Sequence, residues 1–586
     1  MDKLKPHLDK LLLSVVFLIC AASTIAWTLK DHTPPSWDPS HHLCAAYDYY
    51  RPLGHFDLRG FAREFFQQKH YYAPLVHLVT AGFFLIFGAS RLSGIAINLL
   101  SLAVLLGSVA WIGRRLYGNK SSAGGIAVGV LAGVLTVSYH FDAWLLHDAF
   151  LDYPLLALIT LTFALLLKAD RFESRRDAVK FAVAAGLGFW AKQTFGFFFI
   201  LPAVYVSLRV LRSRDRRAIV NLLIAGAIVV VIAAIWYGPH LQDAIAIYRI
   251  NQQGAIDEHE PKIFSCTSLI FYWHTLISAQ MQMPFGILFG LGTLYSLVRA
   301  RRESLMLYLW LLSGVVMFTL VANKDVRYTV PVLPAAALLS VCWLREFYGH
   351  AASFTSSPWR KPVLALKLAL VAMIVAWAGV SFVNAQWPAA GQGVHVDTPY
   401  FRWWVFGRNY FVYDHRPMPH DWSIPEVVRT VAEFPYDELS PSVRAMTRPM
   451  VLRQKYPSLD PHETERAEKQ PYGKEDLFVW PTLGVVVNRP FLNSSACAWS
   501  ARTMVPERAG MPVVTIESIG NETEMADRLD HCDYLLVRSG LDHAEDVQPV
   551  ERMIEATVRN NPQRFHEIGR FPTPLDGIEA VLYKCW

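Results

Sequence analysis

At 586 residues the chain exceeds one ordinary domain, and 53% hydrophobic against 18% charged residues excludes an average soluble protein. The formal charge of +6 comes largely from short basic loops between apolar runs, so it reads as membrane topology and not as a nucleic-acid surface. Residues 1–385 are a succession of apolar runs; residues 386–586 are mixed, with no run long enough to cross a bilayer.

Lys3, Lys5 and Lys10 precede the first apolar run, Leu11–Thr28. No small-residue cleavage site follows Trp27, so this run reads as an uncleaved first helix and not as a signal peptide. Spans need about 20 apolar residues, and the chain offers about eleven candidates on that criterion. After the first come Leu92–Ile112, Ala123–Tyr139, Tyr153–Leu167, Ala178–Ala191, Phe195–Leu208 and Ala218–Tyr237. Met283–Val298, Ser304–Ala322, Tyr328–Leu344 and Pro362–Val383 complete the set.

Tyr71–Gly88 is a further apolar stretch whose status the basic residues decide. If it does not cross, then Lys3/Lys5/Lys10, Arg114/Arg115/Lys120, Lys168–Lys180, Arg209–Arg217, Arg299/Arg301/Arg302 and Arg345–Lys361 share one side. That is the positive-inside pattern. Tyr71–Gly88 is therefore expected to be a membrane-dipping or interfacial helix within the first outer loop, residues 30–91. The other outer segments are then His140–Asp152, the neighbourhood of Lys192, Gly238–Gln282, Asn323–Arg327 and the chain after about Asn384. The expected localisation is an inner (plasma) membrane, with a cytoplasmic N-terminus and a periplasmic or extracellular C-terminal domain. Cys20 and Cys342 lie within apolar runs. Cys44, Cys266, Cys497, Cys532 and Cys585 fall outside the cytosol, where disulfides are permitted.

The expected domains are a transmembrane module over residues 1–385, a connector over 386–420 and a small outer α/β domain over 421–586. Ile424–Phe434 is amphipathic with Ser423 as candidate N-cap. Leu483–Val487, Val513–Ile516 and Tyr534–Val537 are β-rich, and Val547–Val558 fits a helix. Phe565–Phe571 and Ile578–Tyr583 read as a terminal hairpin. No G-x-G-x-x-G or P-loop follows any strand, so nucleotide binding is not expected.

The residues with chemical potential gather in the outer loops. Asp38 stands just past the first span between Trp37 and Pro39 and is the candidate base; the bland alternative is a solvated loop aspartate. His41 and His42 are ligand-type groups close by, though adjacent side chains diverge and make a poor metal pair. Asp148 and Asp152 flank the fourth span, where acids also suit a helix N-terminus. Lys192 separates two short apolar runs. A lysine at bilayer depth is costly and usually faces a cavity or partner, unless it snorkels to the interface. Arg327, followed by Tyr328, offers a bidentate fork to phosphate oxygens, or forms an ion pair with Asp325. Asp257-Glu258-His259-Glu260 is either an acidic turn or a weaker acceptor or metal site. A divalent metal is compatible with these groups; no other cofactor is called for.

Taken together these residues resemble the GT-C superfamily of integral-membrane glycosyltransferases, in particular the protein O-mannosyltransferases and the lipid A aminoarabinose transferase branch. Trp37-Asp38 is similar to that family's acidic motif, and Tyr71-Tyr72-Ala73-Pro74-Leu75 with Phe87-Gly88 to its juxtamembrane Pro-Leu helix. Leu151-Asp152-Tyr153-Pro154-Leu155 resembles its Leu-Asp-x-Pro-Leu element, and Ala191-Lys192-Gln193 its Thr-Lys-Gly element. Asp325-Val326-Arg327-Tyr328 with Pro331 and Pro334 resembles its Arg-Tyr-x-x-Pro stretch. Pro39 stands where many relatives carry a second acid, and Gln193-Thr194 replaces a glycine.

The resemblance implies a helical polytopic bundle with an outer α/β domain, and an inverting transfer from a polyprenyl-phosphate sugar to an acceptor hydroxyl. Asp38 would take the proton, Lys192 and Arg327 would stabilise the departing lipid phosphate, and Asp148 or Asp152 would orient sugar or acceptor. The implied partners are the lipid-borne donor, the bilayer and a glycan, lipid or protein acceptor. The competing readings are a lipid-linked-glycan transporter or flippase, and a polysaccharide ligase or polymerase. Transporters usually show internal repeats and midplane polar groups, and neither is evident here.

Overall fold

The computed structural model describes residues 8–67, 72–118, 122–257, 259–346, 360–389, 393–399, 401–407, 415–433, 482–487, 489, 491–504, 511, 513–516, 529, 532–539, 549–574 and 578–585. The chain divides into two units, Met1–Leu29 with Asp48–Arg416, and Lys30–Tyr47 with Pro417–Trp586.

The first unit is helical because its apolar runs are long and uninterrupted, so each satisfies its own backbone hydrogen bonds. Helix α1 spans Leu8–Lys30. After it come α2 (Trp37–Gly54), whose residues up to Tyr47 belong to the second unit, α3 (Leu58–Gln67) and α4 (Leu75–Phe87). At 13 residues, α4 is about 20 Å long, short of a ~30 Å hydrocarbon core, and Gly88 ends it at φ +78°.

Next come α5 (Arg91–Tyr117), α6 (Ser122–Ser138), α7 (His140–Leu145), α8 (Asp152–Ala169) and α9 (Arg175–Ala191). After a 3₁₀ turn follow α10 (Ile200–Ser213), α11 (Arg216–Tyr237), α12 (Leu241–Asp257) and α13 (Cys266–Thr275). Helices α14 (Met283–Arg299), α15 (Arg301–Thr319), α16 (Leu333–Val341) and α17 (Arg360–Gln386) complete the series. Among the described residues five helices, α1, α5, α8, α11 and most of α17, are long and apolar enough to cross a membrane by length and composition.

The core of this unit is centred on α5, packed against α6 and α8. Leu102, Leu105 and Val109 meet Val128, Leu131 and Leu135, while Phe163 stacks on Trp310 at 4.4 Å. The α5–α6 approach requires small residues, since a Cβ on Gly129 would lie 2.6 Å from the Ala110 carbonyl oxygen. Beyond α17 a short antiparallel hairpin, β1 (Val394–Asp397) and β2 (Arg402–Phe406), occupies part of the expected connector.

In the second unit a five-stranded sheet has the order β4–β3–β5–β7–β6. Its strands are β3 (Leu483–Val485), β4 (Val513–Thr515), β5 (Tyr534–Arg538), β6 (Phe565–Pro572) and β7 (Glu579–Cys585). β3 runs parallel to β4 and β5, and β5–β7–β6 is antiparallel. One face packs on α18 (Ile424–Glu433) and α19 (Ser494–Met504), the other on α20 (Pro549–Asn560). Every residue of β5 is buried, which is why its sequence is an unalternating apolar run. The Ser423 hydroxyl, a candidate cap in the sequence, donates to the Pro572 carbonyl at 3.0 Å.

Candidate active site

The end of the helical unit that carries Trp27 also carries most of the charged residues singled out above. Asp152 opens α8, where the helix dipole favours an acid and Pro154 in the first turn costs no hydrogen bond. Its carboxylate accepts from Lys192 Nζ at 2.7 Å, with the two side chains only 3% and 14% exposed.

Lys192 lies where α9 stops. Its backbone is extended (φ −162°), and the chain then turns through a 3₁₀ segment, Gln193–Phe198. Gly188 permits this fold-back, because a Cβ there would come within 2.2 Å of the Phe195 ring. Two short apolar runs broken by one lysine are thus a helix, a reversal and a second helix, with the ammonium held at the reversal. Its partner within the chain is the Asp152 carboxylate.

Arg327 adds the second cation. Asp325 accepts from its Nε at 3.0 Å, from its Nη2 at 2.6 Å and from its backbone N–H at 2.8 Å. The guanidinium lies over the Phe150 ring, 4.6 Å from its centre, and Lys192 Nζ lies 5.6 Å from the centre of the Tyr328 ring. Burial raises the Asp325 carboxyl, but the charge and hydrogen bonds of Arg327, helped by the charge of Lys192, outweigh it and hold Asp325 below the usual carboxylate range. Asp152, Lys192, Asp325 and Arg327 therefore form one electrostatic group, assembled from α8, the α9 reversal and the loop after α15. The Lys324 ammonium, buried beside Tyr272, donates to the Phe318, Thr319 and Val321 carbonyls. It closes the end of α15 and so fixes where the Asp325–Arg327 loop begins.

Asp148 is buried in the turn before α8 and accepts from the Ala149 N–H at 2.9 Å. Asn98, fully buried on α5, donates to the Leu145, Leu146 and Asp148 carbonyls, the last at 2.7 Å. His147 stacks on Trp27 at 3.7 Å, and the Arg91 guanidinium lies 5.1 Å from the Trp27 ring centre. Asp142, on α7, is fully buried, and desolvation pushes its carboxyl well above the usual range.

In the second unit Asp38 sits half-buried in the first turn of α2. The extended segment before it is pinned: Asp31 accepts from the Thr33 hydroxyl at 2.5 Å and the Met418 N–H at 2.9 Å, and Ser40 Oγ donates to the Pro35 carbonyl. His41 and His42 follow on the same helix with rings 6.0 Å apart and nearly perpendicular. Among the described residues no three His, Cys, Asp or Glu side chains gather to hold a metal ion. His259 is exposed in the turn after α12, and Glu258 lies outside the described residues.

Reading the sequence for charge missed Asn98, Trp27 and Gln280, although a buried amide inside an apolar run is itself a signal. No family model matches the chain, and no curated protein does. Solved structures do. ArnT from Cupriavidus metallidurans bound to undecaprenyl phosphate aligns over 97% of each chain at 14% identity and a TM-score of 0.52. The archaeal oligosaccharyltransferase AglB from Archaeoglobus fulgidus, in complex with an inhibitory peptide and a dolichol-phosphate, aligns over 91% of this chain and 69% of its own at 12% identity and 0.51. The chain therefore shares the fold of GT-C membrane glycosyltransferases.

Proposed function

We propose that the chain transfers a sugar from a polyprenyl-phosphate donor to an acceptor hydroxyl at the outer face of the membrane, with inversion at the anomeric carbon. What carries the reading is that two cations distant in sequence, Lys192 and Arg327, share one mostly buried corner with Asp152 and Asp325. Breaking a glycosidic bond to phosphate leaves growing negative charge on the phosphate oxygens, and prearranged cations stabilise that charge. The carboxylates hold both cations in position until the lipid phosphate arrives and competes for them. Trp27, near the end of α1, packs on His147, which precedes Asp148 in the connection leading to α8.

In this reading Asp38 removes the proton from the acceptor hydroxyl, which attacks the anomeric carbon opposite the departing phosphate. Asp148, beside Asp152 in the α7–α8 connection, orients sugar or acceptor. ArnT was solved with undecaprenyl phosphate and AglB with a dolichol-phosphate, which favours a lipid-phosphate donor. The basic loops favour an outward-facing site. The test uses full-length protein and a radiolabelled undecaprenyl-phosphate sugar. Asp38→Asn should lower release of undecaprenyl phosphate by about 10²–10⁴-fold, the usual worth of a general base, while donor binding persists. Undiminished turnover removes Asp38 from the role. Donor crossing the bilayer intact would identify a flippase instead.

A further inference from the structure

Between α13 and α14 the helix widens into a single π turn, Leu276–Gln280, closed by the Met281 N–H on the Leu276 carbonyl at 3.0 Å. Such turns are rare and occur mostly at functional sites. Three features mark this one as held against local preference. Ile277 leaves no room for a side chain on Gly286, whose Cβ would lie 2.4 Å from Ile277 Cγ2. Gln282 takes φ +70°, a conformation that few residues other than glycine adopt. Gln280 is fully buried, and its Oε1 has no hydrogen-bond partner among the described residues. Strain of this kind persists where the surroundings impose it.

The other end of the Gln280 amide shows what the turn holds. Nε2 donates to the Val326 carbonyl at 2.5 Å and to the Thr329 hydroxyl at 3.0 Å. Those two acceptors bracket Arg327 and Tyr328. Ser278, in the same turn, and Gln282, two residues past it, grip a different element. Ser278 Oγ donates to the Arg402 carbonyl at 2.8 Å and accepts from the Trp404 N–H at 3.0 Å, and Gln282 Nε2 donates to the Gly407 carbonyl at 2.9 Å. One turn therefore separates two tasks, with Gln280 on the Asp325–Tyr328 loop and Ser278 and Gln282 on the β1–β2 hairpin.

We infer that Gln280 is a positioning residue for lipid-phosphate binding, acting by fixing the backbone on both sides of Arg327. The inference rests on the reading of Arg327 as a donor-phosphate group. An apolar residue of similar shape removes one buried orphan, Oε1, and takes the shared donor from the Val326 carbonyl and the Thr329 hydroxyl, so fold stability falls modestly. The Arg327 loop, however, loses its anchor.

The experiment measures the Kd of undecaprenyl phosphate for full-length protein, together with Tm. Gln280→Met should weaken binding about tenfold with only a modest fall in Tm, and Gln280→Glu, which replaces the donor with an acceptor, should weaken it further. Thr329→Val should weaken binding a few-fold, and the double variant Gln280→Met/Thr329→Val should fall well short of the sum, as coupled neighbours do. Ser278→Ala, which touches only the hairpin, should leave Kd close to the parent value. Parent-like affinity in Gln280→Met, with Arg327→Ala at least tenfold weaker, overturns the inference and leaves the donor reading standing. Equal weakening in Ser278→Ala also overturns it, because the effect is then general loosening. Parent-like affinity in Arg327→Ala overturns the donor reading and this inference together. If Gln280→Met lowers Tm by many degrees, Thr329→Val decides alone: weakened binding supports the inference and unchanged binding ends it.

Discussion

Two ion-pair clusters, one at each end of the helical unit, differ in exposure, although the end that carries Asp170 also buries Asp9 beside Arg114 and Arg345 beside Glu303. At one end Asp170 meets Arg209 and Arg115, with side chains 39–48% exposed, and Lys168 meets Asp177 across the α8–α9 turn. At the other, Lys192 and Asp152 are 14% and 3% exposed, and Arg327 and Asp325 are 16% and 19% exposed. Solvent screens the first set, so each pair is worth little. The second set is desolvated, so its charges interact strongly, cost free energy to keep, and are strongly destabilising when left alone. A surface cluster can mark topology at no great cost. A buried cluster persists for a reason other than stability.

The largest effect should come from breaking the buried pair at one member. Lys192→Met leaves Asp152 without its cation and should destabilise the unit by about 3–5 kcal/mol, with transfer abolished. Asp152→Asn combined with Lys192→Met removes both charges and should recover much of the lost Tm without recovering transfer. If the double variant regains turnover, the pair is structural and the functional asymmetry between the two ends disappears.

Next in size is Arg327→Lys. The charge is kept, but the bidentate fork on Asp325 and the flat face over Phe150 are lost, and a point charge replaces neither. Affinity for undecaprenyl phosphate should fall about tenfold with a Tm change of only a few degrees. Parent-like affinity would reduce Arg327 to a simple positive charge.

How much of this was legible in the chain follows the same division. The long helices α1, α5, α8, α11 and most of α17 were readable because apolar length is a one-dimensional signal, and the buried strand β5 was readable for the same reason. Lys192 stood out because a lone cation between apolar runs is costly. Its partner did not, because Asp152 is 40 residues away and nothing local links a helix start to another helix's end. Arg327 and Asp325, two residues apart, could be paired from the sequence alone. Asn98, within an apolar run, and Gln280, within an expected outer segment, escaped notice because the reading followed charge, and an amide's worth lies in which carbonyls it reaches. The π turn and the β1–β2 hairpin escaped as well, because both depend on tertiary contacts and not on local pattern.

A smaller effect concerns acid. Asp325 is held below the usual carboxylate range, so its contribution is fully present above the ordinary Asp value of about 3.9. It is lost only as pH falls through the lower folded value. Undecaprenyl-phosphate affinity should therefore show no Asp325-linked transition between about pH 5 and 7, and Asp325→Asn should lower Tm at pH 7 more than near pH 3. A Tm loss that is equal at both pH values would mean that the carboxylate's charge does no work in the loop.

The smallest effect belongs to the exposed cluster. Arg209→Ala removes the guanidinium from Asp170, yet both groups face solvent and Arg115 remains within 3.9 Å of the same carboxylate. The expected cost is at most about 1 kcal/mol, read as a small Tm shift that shrinks further in high salt. Transfer should be unaffected, since no residue of the Lys192–Arg327 group contacts this end. The orientation of the protein is tested in the same protein, because several such neutralisations at this end should disturb membrane insertion before they disturb catalysis. If Arg209→Ala alone costs as much as Lys192→Met, exposure is not what separates the two clusters, and burial of charge loses its force as the guide to the site.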